Sequence, residues 1–229
     1  MRGILYGVGI GPGDPELLTV KAIKILNDAD VIVFPGEDPE KTIAWSIIQS
    51  VVNLEDKKVV GIAFPMTKDR KILEENHKNG AAIISKYLDK GLNAAFPTLG
   101  DPSVYSTFSY VNKILKKDGY DTRVIPGIPS FCAAAARINE SLGEGNEQIH
   151  IIPSSYGAEE ALNLPGTKVL MKAGKKIGCV IDDADKKGLK MIMAENIGMQ
   201  DEQIIRNPGR DVEAGYYTLV IIKDDHEVS

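Results

Sequence analysis

The chain has no basic run, no apolar stretch of bilayer length and only two cysteines. Each shortage removes a class of function. A formal net charge of −5 with no Lys/Arg cluster argues against a nucleic-acid partner, because a phosphate backbone is met by concentrated positive charge. A membrane span needs about 20 consecutive apolar residues, and none is present. Met1-Arg2 leads into an apolar strand pattern rather than a signal sequence. Cys132 and Cys179 lie far apart and make no metal-ligand spacing with His77, His150 or His226. They read as core thiols in a reducing, cytoplasmic compartment, and no metal site is expected. Two phosphate-binding signatures are missing as well. Gly-x-Gly-x-x-Gly fails in both frames, since the sixth position from Gly7 is Pro12 and from Gly9 is Asp14. Gly174-Lys175 is followed by Lys176, with Val169 where a phosphate loop starts on glycine.

What is present is an ordinary core-forming composition, 43% hydrophobic and 26% charged over 229 residues, enough for one large or two small domains. The chain is organised around Gly7-Val8-Gly9-Ile10-Gly11-Pro12-Gly13-Asp14-Pro15-Glu16. Residues 3–8 read as a buried strand. Asp14 suits a helix N-cap, Pro15 the first helical position and Glu16 the positive helix end. Leu18, Ala22, Ile25 and Leu26 then recur at helical spacing. A glycine-rich turn between strand and helix is where open α/β sheets bind ligands. Asp14 would repel a phosphate there, so the turn points to another kind of ligand.

Further along, residues 31–34, 59–64, 92–96 and 121–125 read as strands, with helices over 43–52, 68–90 and 106–117 and an alanine-rich helix ending at Arg137. The strand–loop–helix rhythm implies a mostly parallel sheet. Three strand-to-helix turns, 7–15, 97–104 and 126–131, are rich in glycine and proline and should share its carboxyl edge. Convergence of three such turns points to a ligand cleft. Beyond a polar loop at 139–147, strand-like runs fall at 148–152, 168–172, 189–194, 203–206 and 216–222. The last two, separated by Asn207-Pro208-Gly209, suggest an antiparallel pair. The fold class is α/β, with an N-terminal domain over 1–125 and a C-terminal one over 126–229.

Several stretches together resemble the tetrapyrrole methylases, S-adenosylmethionine-dependent enzymes of cobalamin and sirohaem synthesis. They are the opening glycine turn with Leu17-Leu18-Thr19, Gly100-Asp101-Pro102 after the fourth strand, and Pro126-Gly127-Ile128. The resemblance covers the whole chain. Within the family, Ile4 to Gly9, Phe64-Pro65-Met66, Ser103-Val104-Tyr105-Ser106-Thr107-Phe108 and Leu170-Met171-Lys172 look most like the branch that methylates carbon 20 of precorrin-2 or cobalt-factor II. The chain departs from the family pattern at Pro129, where threonine or serine is usual, and at Tyr216-Tyr217-Thr218, where Tyr-Phe-Ser is usual.

The resemblance implies two α/β domains with the cofactor in the interdomain cleft, a tetrapyrrole substrate, and a cytoplasmic homodimer. Position by position it implies cofactor contacts from Pro12, Leu99, Gly100, Asp101, Val104, Ser130, Phe131, Met171, Lys172, Ala194 and Thr218, with Met171 and Lys172 at the adenine side. Asp101 is the candidate catalytic polar group, either at the reaction edge or holding loop geometry, and Tyr105 and Tyr217 are weaker candidates. Because the acceptor is a polycarboxylate and the protein is net negative, basic groups should gather near it. Lys68, Arg70 and Lys71 form one candidate cluster, and Arg137 is another. No axial ligand for a ring-bound cobalt stands out; His77 and His150 are candidates, and each also reads as an ordinary surface or core histidine. The alternatives are a family member acting at another ring carbon, a non-catalytic small-ligand binder, and a diphthine-type methylase with a protein acceptor.

Overall fold

The computed structural model describes residues 1–65, 67, 69–153 and 158–224. The chain divides into two compact units, Met1–Pro129 and Ser130–Ser229. The stretch 126–129 goes with the first unit because the Gly127 N–H donates to Asp101 Oδ2 at 2.9 Å.

The first unit holds five parallel strands: β1 (Leu5–Gly9), β2 (Val31–Pro35), β3 (Lys58–Ile62), β4 (Ala94–Thr98) and β5 (Thr122–Ile125). Their order in the sheet is β3-β2-β4-β1-β5. The crossover helices are α1 (Val20–Asp28), α2 (Ile43–Ile48), α3 (Arg70–Leu88) and α4 (Phe108–Lys117). Both faces of the sheet are covered, which is why β2 reads as a continuous apolar run. Its Ile32 and Phe34 join Val8, Ala22, Leu26 and Ile47 in the core under α1 and α2. Its Val31 and Val33 join Leu5, Ile84, Leu88, Phe96 and Phe108 in the core under α3 and α4.

Two local expectations are corrected here. Asp14 does not start the first helix: its Oδ1 accepts from Glu16 N at 2.9 Å and caps only a 3-10 turn, Pro15–Leu17. Leu18 returns to extended backbone (φ −70°, ψ 136°), and Thr19 caps α1 by accepting from Ala22 N. The helix at 43–52 ends at Ile48, and 49–52 form turns.

The second unit comprises α5 (Ser130–Ile138), β6 (Ile149–Pro153), α6 (Ala158–Ala161), β7 (Thr167–Met171), α7 (Ile177–Lys186), β8 (Lys190–Glu195), β9 (Gln203–Arg206) and β10 (Thr218–Lys223). Its sheet is mixed, in the order β6-β7-β10-β8-β9. β6 and β7 are parallel, while β10 runs antiparallel between β7 and β8. The expected hairpin of the last two strands does not form: β9 pairs with β8. The Asn207 N–H donates to Met191 O at 2.8 Å, so the turn signal at 207–209 ends the β8–β9 ladder instead of linking β9 to β10.

Leu170, Val220 and Ile222 face α6 and α7. Val169, Leu219 and Ile221 are equally buried on the other face, where α5 packs against β10. The cysteines are not core thiols. Cys132 on α5 and Cys179 on α7 are both unpaired and exposed, because the inner positions of α5 are Phe131, Ala133, Ala134 and Ala135 and those of α7 are Ile177, Val180 and Ile181.

Candidate functional site

At the carboxyl edge of the first sheet the adjacent strands β4, β1 and β5 each run into one of the three glycine- and proline-rich turns. The turns are bonded to one another. Ile10 N donates to Thr98 O at 3.0 Å, and Gly100 N donates to Gly11 O at 2.7 Å. Gly11 and Gly100 have φ of +74° and +71°, a region glycine enters without steric cost. Gly127 is required by closeness. A β-carbon there would lie 2.2 Å from Gly100 O and 2.8 Å from Gly9 Cα. The glycines therefore let three backbones touch.

Asp101 ties this cluster together. It is 9% exposed. Its Oδ1 accepts from the Ser103 N–H at 2.7 Å and from the Ser103 hydroxyl, and its Oδ2 accepts from Gly127 N–H at 2.9 Å. Burial pushes its carboxyl up, but the Ser103 hydroxyl and the Gly127 and Ser103 N–H groups outweigh it and hold the pKa below the usual value. Asp101 is an ionised clamp between the second and third turns. The Asp-x-Ser spacing that makes this clamp is an Asx-turn pattern, and Ser103 is the partner that motif reading missed. Around it, Pro12 is buried and Leu99 and Val104 are half-buried. Tyr105 is exposed, with φ +47°.

The second unit has its own edge, formed by the carboxyl ends of β7 and β8 and the start of β10. The register sets Leu219 between Met171 and Ala194, so these three share one face, while Thr218 pairs with Glu195 on the other. Ala194 is fully buried. Thr218 is 1% exposed, and its Oγ1 has no hydrogen-bond partner among the described residues. A buried hydroxyl left in this state costs free energy unless something occupies it. Lys172 and Asn196, each just past a strand end, have φ of +59° and +52°. The loop before β10 is fastened by Gly215 N to Glu195 Oε1 at 2.7 Å and Asn196 N to Tyr217 O at 3.3 Å. Tyr216 and Tyr217 are exposed and meet edge to face at 5.1 Å, and Lys172 Nζ lies 5.3 Å from the Tyr216 ring centre. Burial, and then Tyr216, push the Tyr217 phenol up, so it stays protonated at neutral pH. At the start of α5, Ser130 is half-buried and Phe131 buried.

The remaining candidates are spread out. Lys68 and Met66 lie outside the described residues. Arg70 and Lys71 are exposed at the start of α3, behind the Asp69 cap. Arg137 Nε is paired with Glu202 at 2.7 Å. His77 stacks on Tyr110 with 4.5 Å between ring centres, and burial lowers its pKa. His150 Nε2 lies 3.0 Å from Pro165 O. Among the described residues no group of three His, Cys, Asp or Glu is placed to hold a metal ion, and no helix is long and apolar enough to cross a membrane.

At the first edge the N–H groups of Ile10, Gly100, Ser103 and Gly127 are taken by Thr98 O, Gly11 O and the Asp101 carboxylate. The second edge holds the buried Thr218 hydroxyl, which has no hydrogen-bond partner among the described residues.

A probable cobalt-precorrin-2 C(20)-methyltransferase from Methanocaldococcus jannaschii is 38% identical over 169 residues, 73% of this chain and 71% of that protein. A cobalt-precorrin-2 C(20)-methyltransferase from Salmonella typhimurium is 32% identical over 75% of this chain and 73% of that protein. Among solved structures, a uroporphyrin-III C-methyltransferase from Thermus thermophilus in complex with S-adenosylhomocysteine has the same fold. It matches with a TM-score of 0.69 at 19% identity, over 97% of this chain and 98% of that one. The family model for tetrapyrrole (corrin/porphyrin) methylases matches residues 4–213, and the chain belongs to that family.

Proposed function

We propose that the protein transfers a methyl group from S-adenosylmethionine to carbon 20 of precorrin-2 or cobalt-factor II in cobalamin synthesis. The observation that carries the methyl-transfer reading is the cluster of three cross-bonded turns at the β4-β1-β5 edge. It is a preorganised binding surface with no phosphate-binding signature. The choice of carbon rests on the relatives at 38% and 32% identity, since fold alone does not set the ring position. Both relatives have cobalt in their names, which favours the cobalt-bearing acceptor.

Bound S-adenosylmethionine supplies an electrophilic methyl group, so alignment is the larger part of what the protein must provide. On the first unit the proposed cofactor contacts are Pro12, Leu99, Gly100, Asp101 and Val104. On the second they are Ser130, Phe131, Met171, Lys172, Ala194 and Thr218. We assign Asp101 to positioning. Its lone pairs already accept three hydrogen bonds and its pKa is lowered, which makes it a weak base but a firm tie between turns. We further infer a cytoplasmic homodimer, as the resemblance implies; two unpaired cysteines fit a reducing compartment, and light scattering on the purified protein at twice the chain mass would establish the dimer.

The test is anaerobic turnover with S-adenosylmethionine and either metal-free precorrin-2 or cobalt-factor II, read by mass and product spectrum. A single methyl gain at carbon 20 is expected. A gain at another carbon would move the assignment within the family. Tight cofactor binding with no gain on either acceptor would mean a non-catalytic binder or a protein acceptor.

A further inference from the structure

The connection from β9 to β10, residues 207–217, is longer than a hairpin turn because β10 passes β9 and inserts beside β8. It crosses the second unit as a strap. Arg210 pairs with Asp182 on α7 at 2.6 Å, and Val212 and Ala214 pack on the core under α7. Backbone then meets backbone. A β-carbon on Gly174 would lie 1.9 Å from Gly215 O and 2.8 Å from Ala214 O, so the turn after β7 needs glycine for the strap to pass.

The end of the strap is bonded to the segments on both sides of it. Ala173 N donates to Thr218 O at 3.0 Å, and Asn196 N to Tyr217 O at 3.3 Å. These are main-chain bonds that most residue types could make. The third tie depends on the side chain: Gly215 N donates to Oε1 of the half-buried Glu195 at 2.7 Å. A bond to an ionised acceptor is stronger than one between neutral groups.

Glu195 has a second partner within reach that it does not take. Thr218 stands directly across the β8–β10 ladder from it. Side chains so placed start about 5 Å apart, close enough for a cross-strand hydrogen bond. Yet the Thr218 hydroxyl is 1% exposed and has no hydrogen-bond partner among the described residues. The carboxylate reaches forward to the strap instead of sideways to the hydroxyl. One interaction thus seats the strap and leaves Thr218 Oγ1 uncapped.

We propose that Glu195 is a positioning residue for the cofactor. By holding the Gly215 N–H it fixes the backbone of residues 214–218 against the ends of β7 and β8, and so sets the place of Thr218 relative to Ala194 and Met171. It acts through that backbone and not through its charge on the ligand. This rests on the reading above, which takes Met171, Ala194 and Thr218 as cofactor contacts.

The test uses Glu195→Ala and Glu195→Gln in the full chain, with Asp182→Asn as a control that releases the far end of the strap. The measurements are S-adenosylhomocysteine affinity by calorimetry, KM for cofactor and acceptor, kcat, and hydrogen exchange at residues 214–218 without ligand. Glu195→Ala should weaken S-adenosylhomocysteine binding and raise cofactor KM about fivefold, the size of one hydrogen bond. Its acceptor KM and its kcat at saturating cofactor should stay within about twofold of wild type, because the loss falls on binding alone. Exchange should quicken at 214–218 and stay unchanged in β1, as local opening requires. Glu195→Gln should keep most of the affinity, since its amide oxygen still accepts the Gly215 N–H. Asp182→Asn should bind as wild type does. Equal losses in the Ala and Gln variants would mean that the carboxylate charge itself meets the ligand, and would overturn the proposal. So would unchanged affinity in Glu195→Ala, or an equal loss in Asp182→Asn. A wild type that binds S-adenosylhomocysteine and shows the Ala/Gln difference, but methylates neither acceptor, would end the functional reading while the role of Glu195 stands. A wild type with no affinity for S-adenosylhomocysteine would end both.

Discussion

The carboxyl edges of the two sheets solve opposite problems. The first is closed upon itself: three turns hydrogen-bond to one another, the glycines remove every β-carbon that would separate them, and the Asp101 carboxylate is filled by three donors. The second is left open. A buried hydroxyl on Thr218 lacks a partner among the described residues, and two tyrosine rings and a lysine face outward. The first edge spends polar groups on its own shape, and the second keeps a buried hydroxyl with no hydrogen-bond partner among the described residues. Substitutions at the first should therefore be read in stability, and at the second in binding.

The largest effect is expected at Gly127→Ala. The new methyl group would sit 2.2 Å from Gly100 O, with backbone rather than a flexible side chain as the obstacle. The first unit should lose about 3 kcal/mol of stability, at the upper end for overpacking, measurable by urea unfolding. A loss below about 1 kcal/mol would mean the turns can separate, and the picture of a closed edge would fall. Asp101→Asn comes next, at about 1–3 kcal/mol, because the amide group must face one of the donors that the carboxylate now accepts. It also has a pH signature. The folded pKa of Asp101 lies below its ordinary 3.8, so its contribution is fully present above that value and is lost as pH falls below about 4 through the folded pKa. Unfolding measured from neutral to acid pH should show part of this acid-side decline in the wild type and less of it in Asp101→Asn. An identical decline in both would remove Asp101 as its source. Thr218→Val should have the smallest effect on folding, within about 0.5 kcal/mol, since its hydroxyl has no hydrogen-bond partner among the described residues. S-adenosylhomocysteine binding should nonetheless weaken several-fold, about 0.5–1.5 kcal/mol for one hydrogen bond. Unchanged affinity would show that the hydroxyl does not meet the cofactor.

Most of the first sheet could be read from the chain, because a parallel strand buried on both faces writes itself as an apolar run bounded by glycine and proline. Val31 to Phe34 is such a run. The three turns were equally visible. What stayed hidden depended on distance rather than on residue type. Asp14-Pro15-Glu16 has every feature of a helix start, yet Leu18 turns extended and Thr19 offers a second cap three residues before Ala22, so the helix begins one turn later. Asn207-Pro208-Gly209 is a sound turn signal, but no local rule says that β10 must pass β9 and insert beside β8. That Gly127 touches Gly100, that its N–H reaches the Asp101 carboxylate, and that the Thr218 hydroxyl has no hydrogen-bond partner among the described residues are facts of tertiary packing, carried by no spacing in the sequence.

The position of β10 bears on how the protein is made. Every strand of the first sheet precedes residue 130, so a nascent chain can complete that unit while the rest is still being synthesised. The second sheet has its middle strand last in order. Until residues 218–223 are translated, β7 and β8 have no edge in common, and each exposes unpaired backbone that other strands can capture. Lys168, fully buried and paired with Asp224 just beyond β10, has no such partner until that moment. The ribosome thus delivers the second unit as two unjoined halves, and a single late strand converts them into one sheet.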